Sequence, residues 1–185
     1  AFLYEASVGG GIPVLKPLRE QIELNEIDQV QGIINGTCNY ILTRMFNEDK
    51  DYSEVLKIAQ DLGYAEADPT ADVEGYDTMR KLRILATLGL QAKVTEEDIL
   101  LYGISSIGAI DIENIKKMDS TVKLIAEAKK YASGYTAIVE PTIVKKSNYF
   151  ANVNMAYNSV AFRGDNVGEL KFYGSGAGKL PTANA

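Results

Sequence analysis

The sequence contains no histidine and no tryptophan, and its one cysteine is Cys38. Without histidine there is no Ser-His-Asp or Cys-His catalysis, no HExxH zinc site and no His-ligated metal. General acid–base chemistry then falls to Lys, Asp, Glu or Tyr. A lone cysteine cannot close a disulfide within the chain, which points to a reducing compartment, the cytoplasm. With no histidine to activate it, Cys38 reads as a small, half-buried residue and not as a nucleophile. Positive charge is scarce. Lys and Arg number 19 against 25 Asp and Glu, a net charge of −6, which argues against a phosphate-backbone binder and so against nucleic acid. No apolar run approaches the ~18 residues of a membrane-spanning helix.

What is present fits one ordinary globular domain, of 185 residues, 46% apolar and 24% charged,. A chain of this size buries roughly 70% of its unfolded surface and needs no disulfide or metal to hold it. It opens AFLYEASVGGG, with neither initiator Met nor signal peptide, and stops at LPTANA just after a glycine cluster,. Both ends read as cuts, so a piece of a longer protein is expected.

Residues 2–8 read as a short strand entering Gly9-Gly10-Gly11,. Pro13 and Pro17 open a helix with Leu15, Leu18 and Ile22 at helical spacing,. Val30 to Ile34 is β-prone, Asn35-Gly36 breaks it, and Thr37 or Asn39 can cap the next helix, which buries Ile41, Leu42, Met45 and Phe46,. Ser53 is expected to cap a helix that turns Val55, Leu56, Ala59 and Leu62 inward and ends at Gly63,. A longer helix carries Met79, Leu82, Leu85, Ala86 and Leu90, and Thr95 caps another, with Glu96, Glu97 and Asp98 at its positive end,. After Asp119 the period changes to strands at 121–126, 136–144, 158–162 and 168–173, the last two joined through Gly164-Asp165-Asn166,. Helices followed by strands make an α+β fold, a mixed or largely antiparallel sheet with helices on one face.

Four constellations could carry chemistry. VGGGIP at 8–13 lacks GxGxxG spacing and a following βαβ unit, so it is a weak phosphate cradle and reads first as a turn,. Glu5 with loop carbonyls could hold a hard cation,. YGSGAG at 173–178 lets backbone approach an anionic or planar ligand,. Glu66, Asp68, Asp72, Glu74 and Asp77 crowd one loop that does not match an EF-hand; it is a solvated acidic loop, or a set of carboxylates that converge on an ammonium or a lysine,. Asp77 and Lys81 stand four apart, the spacing of a helix-surface ion pair, or of a proton-donating lysine held by a carboxylate,.

Taken in order, EASVGGGIP (5–13), NGTCNYIL (35–42), LGYAEADPTADVEGYDTMRKL (62–82) and GSGAGKLPTANA (174–185) resemble the catalytic domain of the homoserine dehydrogenase family over essentially the whole chain. Cys38 stands where the family often has Thr. The resemblance implies NAD- or NADP-dependent interconversion of aspartate semialdehyde and homoserine, on the route to threonine, methionine and isoleucine. By the same resemblance Lys81 donates the proton, and Glu66 and Asp77 bind the substrate's ammonium, with Asp72 in the same acidic loop. Gly36, Thr37 and Tyr64 wall the substrate pocket, and Gly63 and Gly178 touch the cofactor. Glu5 holds a sodium ion with the carbonyls of Val8, Gly10 and Ile12. The family places a dinucleotide-binding domain with a second catalytic lysine before EASVGGG, which implies that residues 1–185 are the catalytic and dimerisation domain, inactive alone and paired as a homodimer through the sheet. Two other readings are a reductase of a different small amino-acid aldehyde, and a cation-binding or structural module in which Asp77 and Lys81 are a surface pair.

Overall fold

The computed structural model describes residues 4–185. In chain order the elements are α1 (Leu15–Gln21), β1 (Ile27–Ile33), α2 (Gly36–Glu48), α3 (Tyr52–Asp61), α4 (Thr70–Val73), α5 (Tyr76–Gly89), β2 (Leu100–Leu101), α6 (Ala109–Lys117), β3 (Ser120–Tyr131), β4 (Gly134–Lys145), β5 (Tyr157–Gly164), β6 (Gly168–Ser175) and α7 (Lys179–Asn184), with 3₁₀ turns at Glu96–Asp98 and Tyr149–Asn152. The strands make one six-stranded sheet in the order β2-β4-β3-β1-β5-β6. The β2–β4 pair is parallel and the other four pairs are antiparallel. This is the α+β class with a mixed sheet, as the order of apolar patterns implies.

Side-chain alternation assigns the two sheet faces different tasks. Val30, Val122, Leu124, Ala126, Val139, Val160 and Phe162 join Leu15 and Leu18 of α1, Ile41, Leu42 and Met45 of α2, and Leu82 and Leu85 of α5 in one core. Each buried Leu or Ile there contributes ~1.5–3 kcal/mol by leaving water. The opposite residues of β1, β3, β4 and β5 form a small cluster, Ile33, Ile125, Val144 and Ala161, under Phe150 and Val153 of the segment before β5.

Several boundaries differ from the sequence expectation. The expected strand at 2–8 begins outside the described residues, and residues 4–8 run as coil and turns. The cap of α2 is Asn35, in extended backbone, whose Oδ1 accepts from the Cys38 amide at 2.8 Å; Thr37 and Asn39 lie inside the helix. Asp51, not Ser53, precedes α3. Leu62 sits at the C-cap of α3 and is 60% exposed, because the helix ends before its side chain can turn inward. Gly63 follows with φ 78°, the left-handed conformation that terminates helices,. The element capped by Thr95 is one 3₁₀ turn, closed by reciprocal bonds between Thr95 and Asp98.

Candidate active site

A cleft of about 610 Å³ opens where β1 hands over to α2. Its walls come from four places. Asn35, Gly36 and Thr37 form the start of α2, Gly63 and Tyr64 follow α3, Asp72, Asp77 and Lys81 come from α4 and α5, and Met155–Tyr157 lie beside Ser175–Gly178, Tyr157 pairing with Ser175 in the sheet. Chain segments more than a hundred residues apart thus meet at one point, because β1 lies between β3 and β5 in the sheet.

The charged floor is a connected network. Lys81 Nζ donates to Asp77 Oδ2 at 2.6 Å and to the Ile34 carbonyl at 3.1 Å. Asn35 Nδ2 donates to the same Asp77 Oδ2 at 2.9 Å and to Asp72 Oδ1 at 2.7 Å. The side chains of Lys81 and Asp77 are 23% and 32% exposed, open enough to meet a ligand. An ammonium has three N–H donors, and among the described residues two of Lys81's are used, which leaves one for the cleft. By the same count Asp77 Oδ1 keeps its lone pairs free.

The rest of the cleft is fixed by neighbours. Thr37 Oγ1 donates to the Tyr64 carbonyl at 2.7 Å, and the Tyr64 ring stacks on Tyr40 with centroids 4.3 Å apart. Cys38 lies behind Asn35 with Sγ donating to the Asp72 carbonyl, and burial, together with Asp72, Asp77 and Glu74, pushes its thiol well above its ordinary range. Burial disfavours the thiolate, and Cys38 is wholly buried where the sequence reading makes it half-buried,.

The two glycine-rich loops serve each other. Gly11 N–H donates to the Ser175 carbonyl at 3.0 Å, and a Cβ at Gly10 would overlap the Gly176 carbonyl. A Cβ at Gly176 would in turn strike the carboxamide of Asn158, which is 1% exposed. VGGGIP therefore supports the second loop from behind, while Ser175–Gly178 face the cleft. Gly63 and Gly178 put backbone without side chains on its rim, where a flat group could lie against them,.

The cleft brings together Lys81, Asp77, Gly36, Thr37, Tyr64, Gly63 and Gly178. Glu66 is exposed and is not among the residues that line it; its carbonyl accepts from Gln60 Nε2 at 3.1 Å. Asp68 closes a local turn with Thr70. Glu5 lies in a separate hollow beside Lys16 and Arg19, and its two carboxylate oxygens accept from the Leu15 and Lys16 amides, capping α1 from outside. Val8, Gly10 and Ile12 are buried nearby. Among the described residues no group of three or more acidic or cysteine side chains gathers as a metal site. Sequence reasoning missed Asn35 as a cleft residue, because Asn-Gly reads first as a turn, and it missed Met155–Tyr157, which carry no charge to mark them.

Helices over one face of a mixed sheet, with the Asp77–Lys81 pair of α5 set against the end of β1, define an α+β domain with a charged cleft. The model of the homoserine dehydrogenase family matches residues 13–185, and the chain belongs to that family. It is 46% identical to the homoserine dehydrogenase of Synechocystis sp. over 99% of this chain and 43% of that protein. A homoserine dehydrogenase structure from Thiobacillus denitrificans superposes with a TM-score of 0.95 at 41% identity, covering 98% of this chain and 42% of that one. A hyperthermophilic archaeal homoserine dehydrogenase in complex with NADPH superposes with a TM-score of 0.83 at 28% identity, covering 98% of this chain and 52% of that one. The chain thus spans less than half the length of the curated relative. Among the described residues no helix is long and apolar enough to cross a membrane.

Proposed function

We propose that this chain forms the catalytic part of an enzyme that interconverts L-aspartate 4-semialdehyde and L-homoserine with NAD or NADP, serving threonine, methionine and isoleucine biosynthesis in the cytoplasm. The observation that carries the reading is the Lys81 ammonium, anchored on Asp77 and the Ile34 carbonyl with one donor left over the cleft. A bound nicotinamide would supply the hydride chemistry, toward the aldehyde carbon in one direction and from homoserine in the other. As the carbonyl oxygen gains negative charge, Lys81 gives it a proton; in the reverse direction the Lys81 amine takes the hydroxyl proton. Asp77 keeps Nζ in place through either direction. Its free Oδ1 is suited to the substrate's ammonium; Glu66, the second carboxylate of this reading, would have to move to reach it, since it does not line the cleft. Gly36, Thr37 and Tyr64 shape the substrate side. The bare backbone at Gly63 and Gly178 fits a planar nicotinamide, and the rest of the cofactor would be held by residues outside this chain, so residues 1–185 alone should not turn over.

Glu5 and the carbonyls of Val8, Gly10 and Ile12 fit a sodium ion. Those three carbonyls accept no hydrogen bond from the described residues, and each Glu5 oxygen has a further lone pair. The sheet face opposite the helices, where Phe150 and Val153 pack on Ile33, Ile125, Val144 and Ala161, is the surface on which a second copy would dock.

The test is homoserine-dependent reduction of NAD+ and NADP+ by the longest natural polypeptide containing this sequence, beside its Lys81→Ala variant. Activity lost in a folded variant supports the reading. Wild-type protein inert with homoserine but active on another amino-acid aldehyde would change the substrate, and protein inert with all of them would leave a binding or dimerisation module.

A further inference from the structure

The cleft contains one neutral residue at its electrostatic centre. Asn35 is 4% exposed. Its carboxamide is held in one orientation, because Oδ1 must face the Cys38 amide that it caps,. Nδ2 then has to face the carboxylates, and its two hydrogens match Asp72 Oδ1 and Asp77 Oδ2,. A helix cap is thereby converted into a clamp: the 2.8 Å bond to Cys38 fixes the amide, the amide fixes Asp77, and Asp77 fixes Lys81. Serine, threonine or aspartate would cap α2 as well as asparagine. None of them offers an amide N–H pair that can lie between two carboxylates.

We infer that Asn35 is a positioning residue for the proposed proton donor, bridging Asp72 and Asp77 so that one Asp77 oxygen holds Lys81 while the other stays open to substrate. The inference rests on the homoserine dehydrogenase reading. The bridge also separates two like charges without adding a cation that would compete with Lys81. The titratable groups that surround it are Asp72, Glu74, Asp77, Lys81 and Cys38, with the phenols of Tyr64 and Tyr157 on the cleft walls.

The variant Asn35→Asp keeps the helix cap and removes only the donor, replacing it with a third carboxylate. In the longest natural polypeptide containing this sequence, homoserine oxidation by Asn35→Asp should lose about 10- to 100-fold in kcat. Its pH profile should shift upward, because added negative charge holds a lysine proton more tightly. Asn35→Ser, which caps without bridging and adds no charge, should lose activity with a much smaller pH shift. Circular dichroism and thermal melting report whether both variants fold. Should Asn35→Asp fail to fold, the Asn35→Ser rate decides alone. Wild-type activity together with unchanged rates and pH profiles in the folded variants would overturn the inference and leave the functional reading standing. A wild-type protein inert with homoserine would overturn both.

Discussion

Two lysines in this molecule face opposite electrostatic situations. Lys81 lies in the cleft, partly open to solvent, and pairs with a carboxylate at 2.6 Å. Lys123 of β3 is 1% exposed, and no salt bridge to it is found among the described residues. Its ammonium donates to the Val153 carbonyl at 2.6 Å, Asn154 Oδ1 at 3.0 Å and Asn39 Oδ1 at 3.1 Å, all neutral oxygens. Burial pulls its pKa down to about 8. One lysine pairs with a carboxylate where a substrate can reach it, and the other is buried among neutral oxygens, tying β3 to the segment that forms a cleft wall. The same side chain serves reaction chemistry or architecture according to what surrounds it.

The largest effect should come from Lys81→Met, which the proposed proton transfer predicts will cut turnover by about 10²- to 10⁴-fold. Steady-state kinetics on the cofactor-competent protein would measure it; retention of most activity would erase the distinction between the two lysines.

Lys123 should announce itself through stability. Its depressed pKa means that the folded chain binds fewer protons than the unfolded chain between pH 8 and the ordinary lysine value near 10.5. Stability should therefore rise through that window, and the contribution is lost as pH falls back through about 8. The size of the shift corresponds to about 3 kcal/mol. Urea titrations from pH 7 to 10.5 on wild type and Lys123→Met would isolate it, since other groups contribute equally to both. Parallel curves would contradict the burial argument.

Asn39 joins the two halves of that architecture. It donates to the Val153 and Tyr157 carbonyls and accepts from Lys123. Asn39→Leu should cost about 1–3 kcal/mol by orphaning these groups, and should speed hydrogen exchange at the Met155 and Tyr157 amides more than in the sheet. Uniform loosening of the whole chain would mean that Asn39 serves the core and not the wall.

The smallest effect sharpens the contrast from the other side. A partly exposed ion pair contributes little, so Lys81→Met should change unfolding free energy by less than about 1 kcal/mol. A melting shift as large as that of Asn39→Leu would show that Lys81 is architectural too.

Local chemistry was readable where it repeats. Met79, Leu82, Leu85 and Ala86 announce α5 through helical spacing, and Gly164-Asp165-Asn166 marks the β5–β6 turn that the register confirms. Helix α6 passed unnoticed because it buries only Ile112 and Ile115, while Ile110 is 70% exposed and blurs the period. Strand β2 is two residues long and exists by its pairing with β4. In the cleft, Asp77 and Lys81 are one helical turn apart and legible as a pair. The contacts that turn the pair into a site are not local. Asn35 reaches Asp72 across 37 residues and Lys123 reaches Asn39 across 84, distances over which spacing carries no signal.

Strand β1 sets the tempo of assembly. Its side chains meet those of β3 across 98 residues of chain and those of β5 across 135. During synthesis β1 emerges long before either neighbour exists, with Val30 and Ile33 unsheltered and both edges unpaired. Such distant pairing must pay its loop-closure entropy before any contact rewards it, which makes folding slow and exposes an open strand edge meanwhile. The arrangement that lets remote segments converge on one cleft thus leaves β1 waiting longest for the partners that cover it.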